Sequence, residues 1–94
     1  MTIKIILNDK GTPPGKLADA ELHFTEGSLA GMKLVGFGIW ERRGGHDKNV
    51  TFPARQYSVN GERRSFALLK PIDGIEANLP IRNAIVAAYE QECG

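Results

Sequence analysis

Alternating apolar and polar side chains predict β-strands in the first part of the chain. Thr2–Leu7 is rich in isoleucine, a β-branched residue that packs well on a pleated sheet. Residues 18–25 alternate strictly, with alanine, leucine or phenylalanine at every even position, so a strand with one buried face is expected. Residues 29–41 are apolar but contain three glycines. Each glycine would cost about 1 kcal/mol in a helix, so this segment is predicted to be a strand with a bulge.

The dipeptide Asn60-Gly61 predicts a tight β-hairpin. Both central residues of a type I′ turn need a positive φ, which asparagine and glycine tolerate better than other residues. Strand-like residues flank the dipeptide, so residues 51–59 and 62–69 are expected to pair as antiparallel strands. Pro53 has no backbone N–H to donate, which predicts a sheet edge or a bulge at that position.

A helical repeat follows near the C-terminus. Asn78 is suited to cap the helix, and Pro80 fits the first turn because its missing N–H would have no partner there. Apolar residues then recur at helical spacing and form one stripe: Ile81, Ala84, Ile85, Ala88 and Tyr89. Together these patterns predict one α+β domain over residues 1–94, with about five antiparallel strands and a C-terminal helix packed on the sheet.

Length and composition agree with one small globular domain. The chain has 94 residues, of which 41% are hydrophobic and 24% charged, so wholesale disorder is excluded. It contains no apolar run near the roughly 20 residues that span a bilayer, and its N-terminal residues lack the features of a signal peptide. The single cysteine, Cys93, excludes an internal disulfide. A cytoplasmic protein without membrane contact is therefore expected.

Positive charge is concentrated in the middle of the chain. Residues 42–70 hold seven lysines and arginines against two acidic residues, whereas the rest of the chain holds five basic and nine acidic residues. This asymmetry predicts a basic face that attracts anions such as nucleic-acid phosphates. The alternative is that arginines on exposed strands only keep the sheet edges soluble.

Catalytic and metal-binding chemistry is not expected. His23 lies on the polar side of a predicted strand and His46 in a glycine-rich loop, and neither has a serine or cysteine placed by sequence to act with it. The histidines and carboxylates show no metal-ligand spacing. We therefore predict no enzymatic activity, no metal, no cofactor and no small-molecule substrate. Gly44-Gly45 could expose backbone N–H groups to a phosphate, although no nucleotide-binding motif accompanies it.

The hairpin and the loop before it are the predicted nucleic-acid interface. If Asn60-Gly61 forms the turn, arginines from both strands approach each other, and guanidinium groups bind phosphates and guanine edges. Tyr57 would stack on a base or an arginine, although such rings, like those of Phe52 and Phe66, more often pack in a core. Trp40 is expected in the core or at a dimer contact. The predicted contact residues are Arg55, Arg63, Arg64 and Tyr57 on the hairpin, Arg42, Arg43 and Lys48 around the loop, and Lys70 after the hairpin.

Several segments between residues 18 and 89, taken in order, resemble the SpoVG family of small bacterial septation and sporulation regulators. No single motif is specific, and the order and spacing of the segments make the likeness. The segments that carry it are the strand ending near Phe24; Gly31-Met32-Lys33-Leu34-Val35; Val50-Thr51-Phe52-Pro53-Ala54-Arg55, similar to an apolar strand leading into Pro-Ser-Lys-Arg; Asn60-Gly61-Glu62, similar to Asp-Gly-Glu; Lys70-Pro71-Ile72, similar to His-Pro-Ile; and the helix over residues 81–90.

The resemblance implies a sheet-plus-helix fold, a homodimer built by strand pairing, and site-specific binding of DNA and RNA. By position, Arg55 matches the family's basic residue after the proline, and Arg64 matches its basic residue after the turn. The sequence departs from the family at Gln56, which replaces a second basic residue, and in two extra residues between Arg64 and Pro71. The acidic tail over residues 90–94 would repel phosphate.

Two functions are therefore expected as alternatives. The first is a dimeric DNA- or RNA-binding regulator that contacts phosphates through the hairpin and loop. The second is a non-catalytic protein–protein interaction module of the same fold, which binds a partner through an edge strand or the Trp40 region. Dimerisation is expected because the chain is short for a self-sufficient core and its sheet has edges to protect.

Overall fold

The computed structural model describes residues 1–42 and 48–93. Within these residues, six strands precede one long helix. Their bounds are β1 Thr2–Leu7, β2 Lys16–His23, β3 Lys33–Glu41, β4 Lys48–Thr51, β5 Ala54–Val59, β6 Glu62–Ala67 and α1 Asn78–Cys93. Short 3₁₀ turns at Gly27–Leu29 and Ile75–Ala77 precede β3 and α1.

The strands form two separate antiparallel sheets. β1 to β4 lie side by side in chain order, while β5 and β6 pair with each other in a second, two-stranded sheet. We call this β5–β6 pair the ribbon. The α+β class, with antiparallel strands and a C-terminal helix, is confirmed. The prediction of one sheet with about five strands is wrong, because both strands of the hairpin pair only with each other and lie outside the main sheet.

The separation of the two sheets occurs at Pro53. This residue is buried, and it has no N–H with which to continue a strand ladder. Its side chain lies against β3 at Gly36, which has a φ of +110°. A Cβ atom on Gly36 would be 3.2 Å from the Pro53 Cβ, so the two backbones cross closely there. β4 therefore ends before the crossing, and β5 begins after it in the ribbon.

The hairpin turn has the predicted geometry. Asn60 and Gly61 have φ values of +51° and +81°, both positive as a type I′ turn requires. Val59 pairs with Glu62 next to the turn. The ladder ends at the Ala54–Ala67 pair, so both strands are shorter than predicted, because the residues before Ala54 belong to the crossing.

The starts of β3 and α1 also differ from the prediction. β3 begins at Lys33 rather than at residue 29, because Gly27–Leu29 forms a 3₁₀ turn closed by backbone hydrogen bonds. Asn78 is the first helical residue, with φ −74° and ψ −24°, rather than an extended N-cap. The 3₁₀ turn before it runs directly into α1, so the chain is already helical where the cap was expected.

The hydrophobic core lies between the four-stranded sheet and α1. The fully buried side chains are Ala18, Ala20 and Leu22 of β2, Phe37 and Ile39 of β3, and Ile85 of α1. Half-buried Ile81 and Tyr89 pack beside Ile85, which confirms the predicted helical stripe. Phe52 also packs against this core, with its ring centroid 5.3 Å from that of Phe37.

A side-chain hydrogen bond joins β3 to β4 above Gly38. Trp40 Nε1 donates to Thr51 Oγ1 at 3.0 Å, and the Trp40 ring is half-buried with Lys16 Nζ 5.8 Å from its centroid. A Cβ atom on Gly38 would lie 2.7 Å from Trp40 Nε1 and 2.8 Å from Thr51 Oγ1. Real Cβ atoms do not approach other heavy atoms so closely, so the position requires glycine unless the hydrogen bond moves.

Candidate nucleic-acid interface

The ribbon lies outside the hydrophobic core. Every residue of β5 and β6 is exposed. The radius of gyration is 14.5 Å, whereas a compact domain of this length is expected near 12 Å. A backbone hydrogen bond from Leu68 N to Pro53 O closes the base of the ribbon at 2.9 Å. Both faces of the ribbon are therefore accessible to a ligand.

The pairing register sorts the ribbon side chains onto two faces, since residues directly opposite each other on antiparallel strands share a face. The aromatic–basic face consists of Arg55, Tyr57, Val59, Glu62, Arg64 and Phe66. The small-polar face consists of Ala54, Gln56, Ser58, Arg63, Ser65 and Ala67. Arg55 and Arg64 thus share one face, and Arg63, the third predicted hairpin arginine, lies on the other.

The aromatic–basic face presents two rings. Tyr57 and Phe66 are 40% and 44% exposed, and their ring centroids are 6.1 Å apart in an edge-to-face arrangement. Lys70 Nζ lies 5.9 Å from the Phe66 centroid, which adds the predicted lysine to this face. Core packing, the alternative considered for these rings, holds for Phe52 but not for Tyr57 or Phe66, because the ribbon leaves the sheet after Pro53.

The pairing register makes arginines the cross-strand neighbours of both rings. Arg55 is directly opposite Phe66, and Arg64 is directly opposite Tyr57. The Arg64 guanidinium also lies 3.3 Å from the Glu62 carboxylate, in a pair whose side chains are 56% and 72% exposed. Such a solvent-exposed ion pair contributes little stability, so Arg64 can exchange its partner for a phosphate at small cost.

Arg63 occupies different surroundings on the small-polar face. It lines a shallow groove of about 330 Å³ together with Gln56, Tyr57 and Ser58. The pairing register places it on the face opposite Arg55 and Arg64. The sequence segment alone suggested one arginine cluster, whereas the strand register divides it.

Two of the other predicted basic residues, Arg42 and Lys48, lie at strand ends of the four-stranded sheet. Arg42 is exposed and follows the end of β3, and Lys48 is the half-buried first residue of β4. The Lys48 carbonyl oxygen accepts a hydrogen bond from Arg82 of α1 at 2.8 Å. Arg43, Gly44-Gly45 and His46 lie outside the described residues.

His23 forms a polar contact on the four-stranded sheet. Its Nε2 lies 2.9 Å from Glu21 Oε1, and Lys33 Nζ lies 3.3 Å from the same oxygen. The hydrogen bond with His23, assisted by the positive charge of Lys33, lowers the pKa of Glu21 below its ordinary value. These groups belong to β2 and β3 and are separate from the ribbon.

The part of the chain that the structure describes contains neither a metal-binding cluster nor a membrane-spanning helix. Over residues 1–42 and 48–93, there is no group of three or more histidine, cysteine, aspartate or glutamate side chains that could hold a metal ion. No helix in the same residues is long and apolar enough to cross a membrane.

The role of Phe66 and the separation of Arg63 were missed by the sequence reasoning. A two-residue turn fixes which residues are opposite each other, and side chains alternate between faces along each strand. Counting outward from Asn60-Gly61 pairs Tyr57 with Arg64 and Arg55 with Phe66. This signal was present in the sequence and would have placed Phe66 beside the cations.

No family model matches the chain, and neither a curated protein nor a solved structure matches it.

Proposed function

We propose that this chain is a nucleic-acid-binding regulatory protein of the SpoVG type. The observation that carries the proposal is the aromatic–basic face, which combines Arg55, Arg64 and Lys70 with two exposed rings on one side of a projecting ribbon. Guanidinium groups form bidentate, charge-assisted hydrogen bonds with phosphate oxygens. The proposal includes the cytoplasmic location and the absence of a cofactor that the sequence led us to expect.

The charge balance of this face favours an anionic ligand. Three cations are present against one carboxylate, that of Glu62, which is paired with Arg64. Arg42, which follows β3, and Lys48 of β4 are assigned a secondary role in contacting a longer nucleic acid. Arg43 is assigned the same role from its place in the sequence.

A homodimer formed by strand pairing is part of the proposal. An isolated two-stranded ribbon is marginally stable in water, and each strand of this ribbon has one edge with no strand beside it among the described residues. Pairing with a second copy would satisfy those backbone groups and double the basic surface. Light scattering over a range of protein concentrations tests this point: a constant monomer mass would contradict it.

Binding measured as fluorescence anisotropy at two salt concentrations tests the function. We expect labelled DNA or RNA to bind at low salt and to dissociate as salt rises, because each neutralised phosphate releases counterions. The double variant Arg55→Ala with Arg64→Ala should lose most of this affinity. Lys10→Ala, which removes one exposed positive charge far from the ribbon in sequence, is the control. An affinity that does not change with salt concentration, or a double variant that binds as tightly as the parent, would refute the role of this face.

The alternative, a protein-interaction module, is favoured by one observation. A groove of about 400 Å³ lies between β4 and the start of α1, and its wall includes Val50, Phe52, Ile75 and Leu79. Ile75 and Leu79 are 75% and 52% exposed. A folded protein that is not retained by nucleic acid at low salt, but forms a stable complex with a partner protein, would favour this alternative.

A further inference from the structure

We infer that the aromatic–basic face takes single-stranded nucleic acid, with bases stacked on the rings of Tyr57 and Phe66. This inference rests on the proposed function and specifies the ligand of the same site. It depends on the rings being exposed beside cations, an arrangement that phosphate binding alone does not require.

The two rings of the ribbon are exposed to solvent. Tyr57 and Phe66 expose 40% and 44% of their surface, although aromatic side chains are usually buried when a core is available. Other aromatic residues of the chain do pack: Phe37 is 1% exposed and Phe52 lies against it. The ribbon thus holds its rings in water, where base faces are natural partners because every base has an aromatic face.

Basic residues neighbour both rings in the ribbon. Arg64 is opposite Tyr57, Arg55 is opposite Phe66, and Lys70 lies 5.9 Å from the Phe66 centroid. Each ring therefore has an arginine as its cross-strand neighbour, and Phe66 also has the Lys70 ammonium near its face. A strand that stacks a base on a ring brings its phosphates near these cations, so stacking and charge act on the same nucleotide.

The state of the bases decides between single-stranded and duplex ligands. In a duplex, bases are stacked on each other and present only their edges in the grooves. Exposed rings would then gain little, and only the cations of the face would contribute. In a single strand the base faces are accessible, so the rings contribute directly to affinity.

An abasic oligonucleotide separates stacking from charge. Anisotropy would be measured with labelled oligodeoxythymidylate, with an abasic oligonucleotide of the same length and charge, and with a duplex. We expect oligodeoxythymidylate to bind at least about fivefold more tightly than the abasic strand, since stacking on an aromatic side chain is worth roughly 1–3 kcal/mol per base. Equal binding of the thymidylate and abasic strands, or a preference for duplex, would overturn the inference while leaving the proposed function intact. Failure of these three and of a labelled RNA strand to bind at low salt, with a folded protein, would refute the proposed function itself.

Ring substitutions provide the second test. Tyr57→Leu and Phe66→Leu keep an apolar side chain but remove the ring. Gln56→Leu, which introduces the same residue next to Tyr57 on the small-polar face, is the matched control and should bind both oligonucleotides like the parent. We expect each ring variant to weaken binding of oligodeoxythymidylate at least about fivefold and to leave binding of the abasic strand within about twofold. Circular dichroism would first establish that each variant is folded. Equal losses for both oligonucleotides would contradict stacking and indicate a damaged ribbon.

Discussion

Neighbouring arginines on opposite faces of the ribbon allow a stringent test of the interface. Arg63 and Arg64 are adjacent, carry the same charge and lie on the same exposed strand, but the register places only Arg64 on the aromatic–basic face. Substituting either one by glutamine removes one positive charge and preserves most of the side-chain length. The two variants therefore have the same net charge. Arg64→Gln removes a positive charge from the aromatic–basic face, and Arg63→Gln removes one from the small-polar face.

The expected salt dependence of binding follows from the number of cations on the face. Three cations, Arg55, Arg64 and Lys70, would neutralise three phosphates of one strand. With a slope of about −0.7 per phosphate for single strands, log K should fall with log salt at about −2.1 for the parent and at about −1.4 for Arg64→Gln. Raising the salt concentration from about 50 to about 200 mM should then lower the affinity of the parent for the strand roughly 18-fold and that of Arg64→Gln roughly 7-fold.

The assay is an anisotropy titration of a labelled single strand at four or more salt concentrations. Arg63→Gln should keep the slope of the parent, because its side chain faces away from the bound strand. If Arg63→Gln lowers the slope as much as Arg64→Gln, the ribbon acts through its overall charge and the face assignment is wrong. If neither variant changes the slope, the cations of the ribbon do not contact phosphate.

Four further outcomes are expected. Glu62→Gln should bind nucleic acid about twofold to fivefold more tightly, because it removes the carboxylate that competes for Arg64 in an exposed ion pair; weaker binding in anisotropy would contradict this. Gly38→Ala should lower the free energy of unfolding by about 1–3 kcal/mol in chemical denaturation, since its methyl group meets the side-chain hydrogen bond between β3 and β4. Ile85→Ala should lower the free energy of unfolding by about 2–5 kcal/mol in the same measurement, because it opens a cavity at a fully buried position. A hydrogen bond to Cys93 raises the pKa of Tyr89 to about 12, so stability from this bond should be present below pH 10 and lost as the pH rises through about 12; absorbance titration of a variant without the other tyrosine should show the pKa falling when Cys93 is replaced by alanine.

The division between core and ribbon separates stability from binding. Ile85, Phe37 and the buried residues of β2 hold the four-stranded sheet to α1, while the ribbon contributes no fully buried side chain among the described residues. Substitutions on the aromatic–basic face should therefore alter binding with little effect on the unfolding of the core. This separation makes the binding variants interpretable.

Local patterns in the sequence determined much of the secondary structure. The period of two in residues 18–25, the Asn60-Gly61 turn and the helical stripe around Ile85 each depend on interactions between residues close in sequence or on one buried face. The α+β class follows from them. Side-chain alternation counted from the turn also determines which arginines share a face, because the type I′ turn fixes the register of the strands beside it.

Only the tertiary structure decided how the hairpin relates to the rest of the chain. The sequence marks Pro53 as an edge or a bulge, but it does not show that Pro53 packs against Gly36 of β3 and directs the chain out of the main sheet. That contact joins residues distant in sequence, so no local period reports it. It leaves Tyr57 and Phe66 exposed to solvent rather than in the core.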